Sequence, residues 1–221
     1  MSTIVAPQVA MTVEELAARV GAIPLWRIRV DPLPGFATEE DVERTRREGG
    51  LLCELIDGVL VEKAMSEKTA FLAAELGRLI GNFVTPRRIG WILGPDGFVR
   101  LFGKHLRAPD VSFIRRDQRL GGKLLDKGYA DVAPALAVEV FSPSNTVKEM
   151  ERKRREFFAA GCELFWIVDP ELQEIAVYTD PDTCRTLRRD DTLDGGTALP
   201  GFSLKVVDLF LAIELGGDAN A

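Results

Sequence analysis

The chain places one carboxylate in the middle of an otherwise apolar run. Residues 134–141 read PALAVEVF, in which seven of the eight residues are apolar or proline and the remaining one is Glu139. An unpaired carboxylate in a buried strand costs several kcal/mol or has to take up a proton. We therefore expect a bound cation or a nearby basic side chain to compensate Glu139, and either would bring chemistry to this strand.

Two further acids lie in apolar, strand-like surroundings, Glu54 in LLCELI and Asp110 in APDVSFI. Each alone has a simple structural explanation, since Glu54 could cap a turn or pair with an arginine, and Pro109 is a suitable residue for entering a strand. Together, they resemble the set of oxygen ligands from several strand ends that Mg²⁺ requires. Such an ion can activate a bound water and stabilise charge on a phosphate, so the three acids predict a divalent-metal site.

The helix predicted after this strand, capped by Ser144 or Asn145, supplies a basic group. Its sequence TVKEMERKRREFFAAG contains an apolar stripe that should face the sheet, formed by Val147, Met150, Phe157 and Phe158. Lys153 lies along one edge of the stripe and Arg154 lies nearer its centre, so periodicity leaves open which of them reaches the acids. The simpler alternative is that both are long side chains lying along the helix flank.

The rest of the chain predicts strands with helices at both ends of the sequence. Asp57-Gly58 between two apolar runs indicates a hairpin, and a helix with apolar residues at helical spacing follows. The predicted helix spans 67–84, and the predicted strands are 90–93, 98–102, 111–114 and 135–141. This order is typical of an α/β or α+β domain with a central mixed β-sheet flanked by helices. We expect a helical N-terminal extension over 1–50, the main domain over 51–215 and a tail over 216–221.

Composition excludes several classes of protein. The three cysteines are widely spaced without a CxxC pair, which argues against a zinc site or a disulfide framework. The single histidine, His105, argues against a serine-hydrolase triad and against histidine-based metal sites. The formal net charge of −6 counts against a protein that coats DNA nonspecifically, but not against an enzyme with a local basic patch.

The chain also gives an expectation about its location. No apolar run approaches the ~20 residues that a membrane span requires, and the N-terminus lacks the basic and apolar regions of a signal peptide. We therefore expect a cytoplasmic protein with no membrane partner and no organic cofactor.

Five segments in order carry a resemblance to a known family. They read ELIDGVLVEKAMS, APDVSFI, LAVEVFSPSN, KRREFFAAGCELFWIVDP and VYT. This set resembles the Uma-type family of restriction endonucleases, within the PD-(D/E)xK nuclease superfamily, over residues 50–210. The resemblance implies a restriction-endonuclease-like fold and metal-dependent hydrolysis of phosphodiester bonds.

The resemblance also implies roles for individual residues. Asp110 and Glu139 would be the metal-ligating acids, joined by the backbone carbonyl of Val140, and Glu54 would be the upstream acid that completes the site. The lysine expected two residues after Glu139 is absent, because Phe141 stands there. By resemblance, its counterpart is Lys153 on the next helix. The resemblance therefore selects Lys153 over Arg154 as the basic group of the site.

The chain departs from this family in two places. Many relatives carry a histidine in the helix after the first hairpin, where this chain has Lys68, Thr69 and Ala70. The 50 residues at the N-terminus are also longer than the lead-in that the family suggests.

Three functions are compatible with these features. The first is a Mg²⁺- or Mn²⁺-dependent endonuclease that acts on DNA as a homodimer, with phosphate contacts from Lys104, Arg107, Arg115 and Arg116. The second is a catalytically inactive module of the same fold that binds nucleic acid or protein. The third is an interaction protein in which Arg107 and Arg154 neutralise the acids.

Overall fold

The protein is described by a computed structural model that covers residues 11–21, 23–103, 105–126, 128–129 and 131–214. The α-helices in these residues are α1 (Val13–Val20), α2 (Glu39–Gly49), α3 (Glu67–Arg87), α4 (Val147–Ala159) and α5 (Val206–Glu214). Across the described ranges, no helix combines the length and the apolar character needed to cross a membrane.

A mixed sheet forms the centre of the fold. Its strands are β3 (Gly90–Leu93), β6 (Val111–Arg115), β7 (Leu136–Val140), β8 (Leu164–Asp169), β9 (Glu174–Tyr178) and β10 (Cys184–Leu187). They lie in the order β10-β9-β8-β7-β6-β3, and β7 and β8 are parallel while the other neighbours are antiparallel. A parallel pair needs a crossover connection, which α4 supplies. The predicted central mixed sheet flanked by helices is confirmed.

Smaller sheets lie beside it. One contains β1 (Cys53–Ile56), β2 (Val59–Glu62), β4 (Val99–Arg100) and β5 (Leu106–Arg107), in the order β2-β1-β5-β4, and the other pairs β11 (Thr192–Asp194) with β12 (Ser203–Lys205). Asp57 and Gly58 both have positive φ between β1 and β2, as a tight two-residue hairpin turn requires. A Cβ at position 58 would collide with the Gly35 carbonyl oxygen. The predicted hairpin is therefore present.

Helices α3 and α4 cover opposite faces of the central sheet. Leu76 on α3 packs in the same core as Val138, whereas Phe157 on α4 packs with Ala137. Strand β7 is therefore buried on both faces, which explains its nearly continuous apolar sequence. Because side chains alternate along a strand, Glu139 lies on the α4 side.

Several predicted boundaries differ from the structure by one to three residues, and the contacts explain two of these differences. The predicted strand 98–102 is reduced to Val99–Arg100, because the backbone turns between Leu101 and His105 with hydrogen bonds across the turn. Helix α4 is capped by Thr146 rather than by Ser144 or Asn145, since the Thr146 side chain accepts a hydrogen bond from the Glu149 amide.

Part of the predicted N-terminal extension packs against the hairpin. Val20, Ile23 and Ile28 form a buried cluster with hairpin residues, and Ile28 makes a β-bridge with Val61. The division of the chain at residue 50 stays a prediction, and the predicted tail 216–221 lies outside the described residues.

We expect Leu76→Ala to lower the free energy of unfolding by about 2–5 kcal/mol, because it removes a fully buried side chain from the main core. Phe71→Ala on the same helix is the matched control, since Phe71 is 43% exposed and should cost much less. Urea unfolding followed by circular dichroism measures both. An equal cost for the two variants would contradict the orientation of α3.

Candidate active site

The central sheet brings two of the predicted acids together. Asp110 immediately precedes β6, and the antiparallel register Val111↔Val138 sets it opposite Glu139 in β7. The Val140 amide donates a hydrogen bond of 2.7 Å to Asp110 Oδ2. Asp110 is 4% exposed and Glu139 is 3% exposed, so both carboxylates are buried.

Helix α4 adds a lysine to these acids. Lys153 Nζ lies 2.9 Å from Glu139 Oε1 and 3.3 Å from Glu54 Oε1. Arg154 instead places its guanidinium carbon 4.3 Å from the centroid of the Tyr178 ring. The choice that periodicity left open is therefore resolved in the structure, where Lys153 contacts the acids.

Glu54 is close to the other acids, but both of its oxygens already have partners. Oε1 accepts a hydrogen bond from the Ala108 amide at 3.0 Å and faces Lys153, while Oε2 accepts one from Arg107 Nη1 at 2.9 Å. Within the described ranges, no group of three or more His, Cys, Asp or Glu side chains is arranged to hold a metal ion. The Glu54 carboxylate is held between Lys153 and Arg107, and its predicted part in metal binding stays a prediction.

The sequence analysis missed Lys63, which follows β2. Its Nζ lies 2.8 Å from Asp110 Oδ1 and also hydrogen-bonds to the Ala108 carbonyl oxygen. A signal was available in the hairpin, since the register Glu54↔Val61 and the alternation of side chains place Lys63 on the same side as Glu54.

The pKa values of Glu54 and Glu139 show how strongly the neighbouring basic side chains compensate each carboxylate. Burial raises the pKa of Glu54, but the neighbouring cations, Lys153 first, outweigh it and lower the pKa to about 2. Burial also raises the pKa of Glu139, and the charge of Lys153 offsets only part of this, so the pKa is raised to about 7. Of these two carboxylates, Glu139 is therefore the one that its surroundings compensate less.

Asp110 and Glu139 have the character of a cation site. Asp110 Oδ1 is buried and has no hydrogen bond of acceptable geometry, although Lys63 Nζ is 2.8 Å away. Glu139 is short of positive charge, and Asp110 adds to the repulsion. These two carboxylates therefore fit a hard divalent cation, which would supply the missing charge.

A second set of buried charges extends from Glu54 towards the hairpin turn. Arg107 donates to Glu54 and also to Glu156 Oε2, at 2.8 Å from Nε and 2.5 Å from Nη2. His105 lies between Glu156 and Asp57, with Nδ1 3.5 Å from Glu156 Oε1 and Nε2 2.8 Å from Asp57 Oδ1. These contacts join the hairpin turn to the acidic cluster through alternating charges.

This arrangement corrects the surface role predicted for Arg107. The residue is 1% exposed and its guanidinium is occupied by two carboxylates, so it cannot contact a phosphate on the surface. In the interaction protein considered above, arginines would neutralise the acids. Glu54 does pair with an arginine, Arg107, whereas Glu139 pairs with Lys153.

The other basic residues predicted to contact nucleic acid lie away from the cluster. Arg115 is the last residue of β6 and Arg116 follows it. A strand rise of 3.3 Å per residue puts Arg115 about 17 Å from Asp110. Arg115 is paired with Asp117 and Glu163. Lys104 lies outside the described residues.

At the helix position where the family resemblance implies a histidine, the side chains of Lys68 and Thr69 make other contacts. Thr69 is buried and takes part in the capping box of α3 with Ser66. Lys68 is paired with Glu171 at 2.7 Å.

Comparison with known proteins gives a family and a fold. The family model Uma2, described as "Putative restriction endonuclease", matches residues 39–207. A solved structure described as "a putative nuclease belonging to DUF820" from Anabaena variabilis is similar, with 22% sequence identity and a TM-score of 0.65. The similarity covers 73% of this chain and 91% of that one. The predicted restriction-endonuclease-like fold is confirmed. A comparison with curated protein sequences finds no significant match.

We expect Lys153→Met to lower the free energy of unfolding by about 3–5 kcal/mol, because it leaves buried carboxylates without their cation. Adding Glu139→Gln should recover part of that loss, since it removes one of the two acids. Lys148→Met, an exposed lysine on the same helix, is the matched control and should change stability little. Urea unfolding at pH 8 measures all variants, and equal costs at 148 and 153 would contradict the buried ion pairs.

We expect His105 to stabilise the fold more at low pH than at high pH. Burial lowers the pKa of His105, but the hydrogen bond and charge of Glu156, and then those of Asp57, outweigh it and raise the pKa above 6.5. The stabilisation is therefore complete below the unfolded pKa and is lost as the pH rises through the folded pKa.

Unfolding of the wild type and of His105→Gln between pH 5.5 and pH 9 measures this effect. The stability difference between the two proteins should be largest at pH 5.5 and should shrink as the pH rises. Asp57→Asn, which removes one partner of His105, should weaken this dependence. A difference that stays constant with pH would show that His105 does not carry the charge.

Proposed function

Because the chain belongs to the Uma2 family of restriction endonucleases, we propose that it is a divalent-metal-dependent endonuclease that hydrolyses phosphodiester bonds in DNA. The observation that carries the proposal is the convergence of Asp110, Glu139 and Lys153. The Val140 amide in the strand of Glu139 lies 2.7 Å from Asp110, and Lys153 Nζ lies 2.9 Å from Glu139. Two acids that can hold a metal ion and a lysine beside them are groups suited to metal-assisted hydrolysis of a phosphodiester.

Asp110 and Glu139 would hold the metal ion, with the backbone carbonyl of Val140 as a further oxygen ligand. Mg²⁺ and Mn²⁺ both suit carboxylate and carbonyl oxygens, so we propose either ion. When bound, the ion would supply Lewis-acid stabilisation of the charge that develops on the phosphate. The burial of Asp110 beside Glu139 and the weak compensation of Glu139 support this assignment.

Lys153 would act on the phosphate as a charged hydrogen-bond donor. Its ammonium group is paired with two carboxylates, which favours the protonated form and fixes its position. A donor held in place beforehand stabilises developing charge without a cost of reorganisation in the transition state. Glu54 would support this role by holding Lys153 on one side and Arg107 on the other.

The further parts of the proposal concern partners and location. Cutting both strands of DNA needs two active sites, so we propose a homodimer, and we propose that it acts in the cytoplasm without an organic cofactor. Arg115 and the exposed Arg116 would contact phosphates remote from the reacting one. The catalytic domain would span 51–215, with 1–50 as its extension.

A second candidate is a module of the same fold that binds nucleic acid without cleaving it. The burial of the cluster favours this candidate, since Asp110, Glu139 and Lys153 are each less than 5% exposed. A phosphate could reach them only after neighbouring segments move. The absence of a lysine two residues after Glu139 points in the same direction.

We expect the purified protein to cut plasmid DNA with Mg²⁺ or Mn²⁺ and not with EDTA. Asp110→Asn, Glu139→Gln and Lys153→Met should each lower the cleavage rate by about 10²-fold or more, because each removes a charge that contacts the reacting groups. Lys148→Met should cut at the wild-type rate. Gel electrophoresis of supercoiled, linear and single-stranded substrates measures these rates.

The remaining outcomes separate the two candidates. Cutting that survives in Glu139→Gln would show that the site lies elsewhere. Binding of DNA without cutting on any substrate, with either ion, would favour the binding module.

A further inference from the structure

The segment before the family match carries an arginine that is fully buried. Arg27 ends the 3₁₀ turn Leu25–Arg27 and is 1% exposed, whereas the family match begins at residue 39. Its two Nη atoms donate to the two carboxylate oxygens of Glu149, at 2.9 and 3.0 Å. This is a bidentate ion pair between the N-terminal segment and α4.

The same guanidinium also contacts two backbone segments of the candidate site. Nε donates to the Glu62 carbonyl oxygen at 2.8 Å, and Nη1 donates to the Ser144 carbonyl oxygen at 3.1 Å. Glu62 immediately precedes Lys63, and Ser144 lies in the loop between β7 and α4. One side chain from outside the family match therefore links the segments that carry the two lysines of the cluster.

Glu149 is a potential competitor for Lys153. The two residues are four apart on α4, so their side chains are neighbours on the helix surface, and a glutamate preceding a lysine by four residues is the favourable order. Glu149 is 1% exposed, and a buried carboxylate needs a cation close to it. With Arg27 in place, Glu149 has its cation, and Lys153 is directed to Glu139 and Glu54.

We propose that Arg27 is a positioning residue for the candidate site. By occupying Glu149, it prevents this carboxylate from drawing Lys153 away from Glu139. The link to catalysis rests on the proposed function, whereas the positioning of Lys153 does not. A purely structural alternative is that Arg27 only anchors the N-terminal segment to α4.

The two explanations differ in what a second substitution does. If Arg27 acts by neutralising Glu149, then Glu149→Gln should correct the effect of losing Arg27, because the competing charge is gone. If Arg27 is only an anchor, the anchor is still lost in the double variant, so no correction should follow. Exposed Arg29, whose ion pair with Glu62 spans 3.9 Å, provides the control variant Arg29→Met.

The test uses the full chain and the Nζ signal of Lys153 in ¹⁵N NMR spectra, identified by its loss in Lys153→Met. In metal-free protein, Arg27→Met should shift this signal, and Arg27→Met with Glu149→Gln should return it to the wild-type position. Arg27→Lys, which keeps a cation beside Glu149, and Arg29→Met should both leave it unshifted. Should Arg27→Met fail to fold, Arg27→Gln takes its place with the same expectations.

Plasmid cleavage provides the second measurement. A displacement of Lys153 by about 1 Å should lower the cleavage rate of Arg27→Met about 10²-fold, and the double variant should recover most of that loss. An unshifted Lys153 signal in Arg27→Met, or a double variant that stays as impaired as Arg27→Met, would overturn the inference.

The two measurements also separate this inference from the proposed function. If the wild type cuts no DNA, the nuclease proposal fails, while the NMR signals still decide whether Arg27 positions Lys153. If the wild type cuts DNA and Arg27→Met cuts equally well, the inference fails and the nuclease proposal stands.

Discussion

The burial of Glu139 in a strand covered on both faces is the constraint on which the rest of this structure depends. Strand β7 lies between α3 and α4, so water cannot solvate the carboxylate, and Asp110 brings a second negative charge beside it. The compensating charges have to come from the elements packed nearby. Helix α4 supplies Lys153 and the end of β2 supplies Lys63, which ties the position of the hairpin to the chemistry of the central sheet.

The compensation continues outwards as a chain of alternating charges. Glu54 is shared by Lys153 and Arg107, Arg107 is shared with Glu156, and Glu156 faces His105. Buried ion pairs of this kind contribute little net stability, because desolvation offsets their attraction, but they define one arrangement of side chains. The unequal result, with Glu54 strongly compensated and Glu139 poorly compensated, is what makes this part of the sheet suited to a cation.

The sequence allowed the local parts of this arrangement to be predicted and not the long-range ones. Strand β7 and the hairpin follow from apolar runs and turn residues, whereas the pairing of Asp110 with Glu139 is expected from their chemistry as oxygen ligands and from the family resemblance. Periodicity could not choose Lys153 over Arg154, because both lie near the apolar stripe of α4. The burial of Arg107 and Arg27 left no local signal, since an arginine has the same sequence context whether it faces solvent or a distant carboxylate.

The pair formed by Arg27 and Glu149 joins residues 122 positions apart in the chain. During synthesis, Arg27 leaves the ribosome long before Glu149 and Lys153, and domains fold as units once enough of the chain is available. The pair of Arg27 with Glu149 can therefore form only after the chain has been made through α4. An N-terminal fragment that ends before α4 therefore leaves the buried Arg27 without its carboxylate partner.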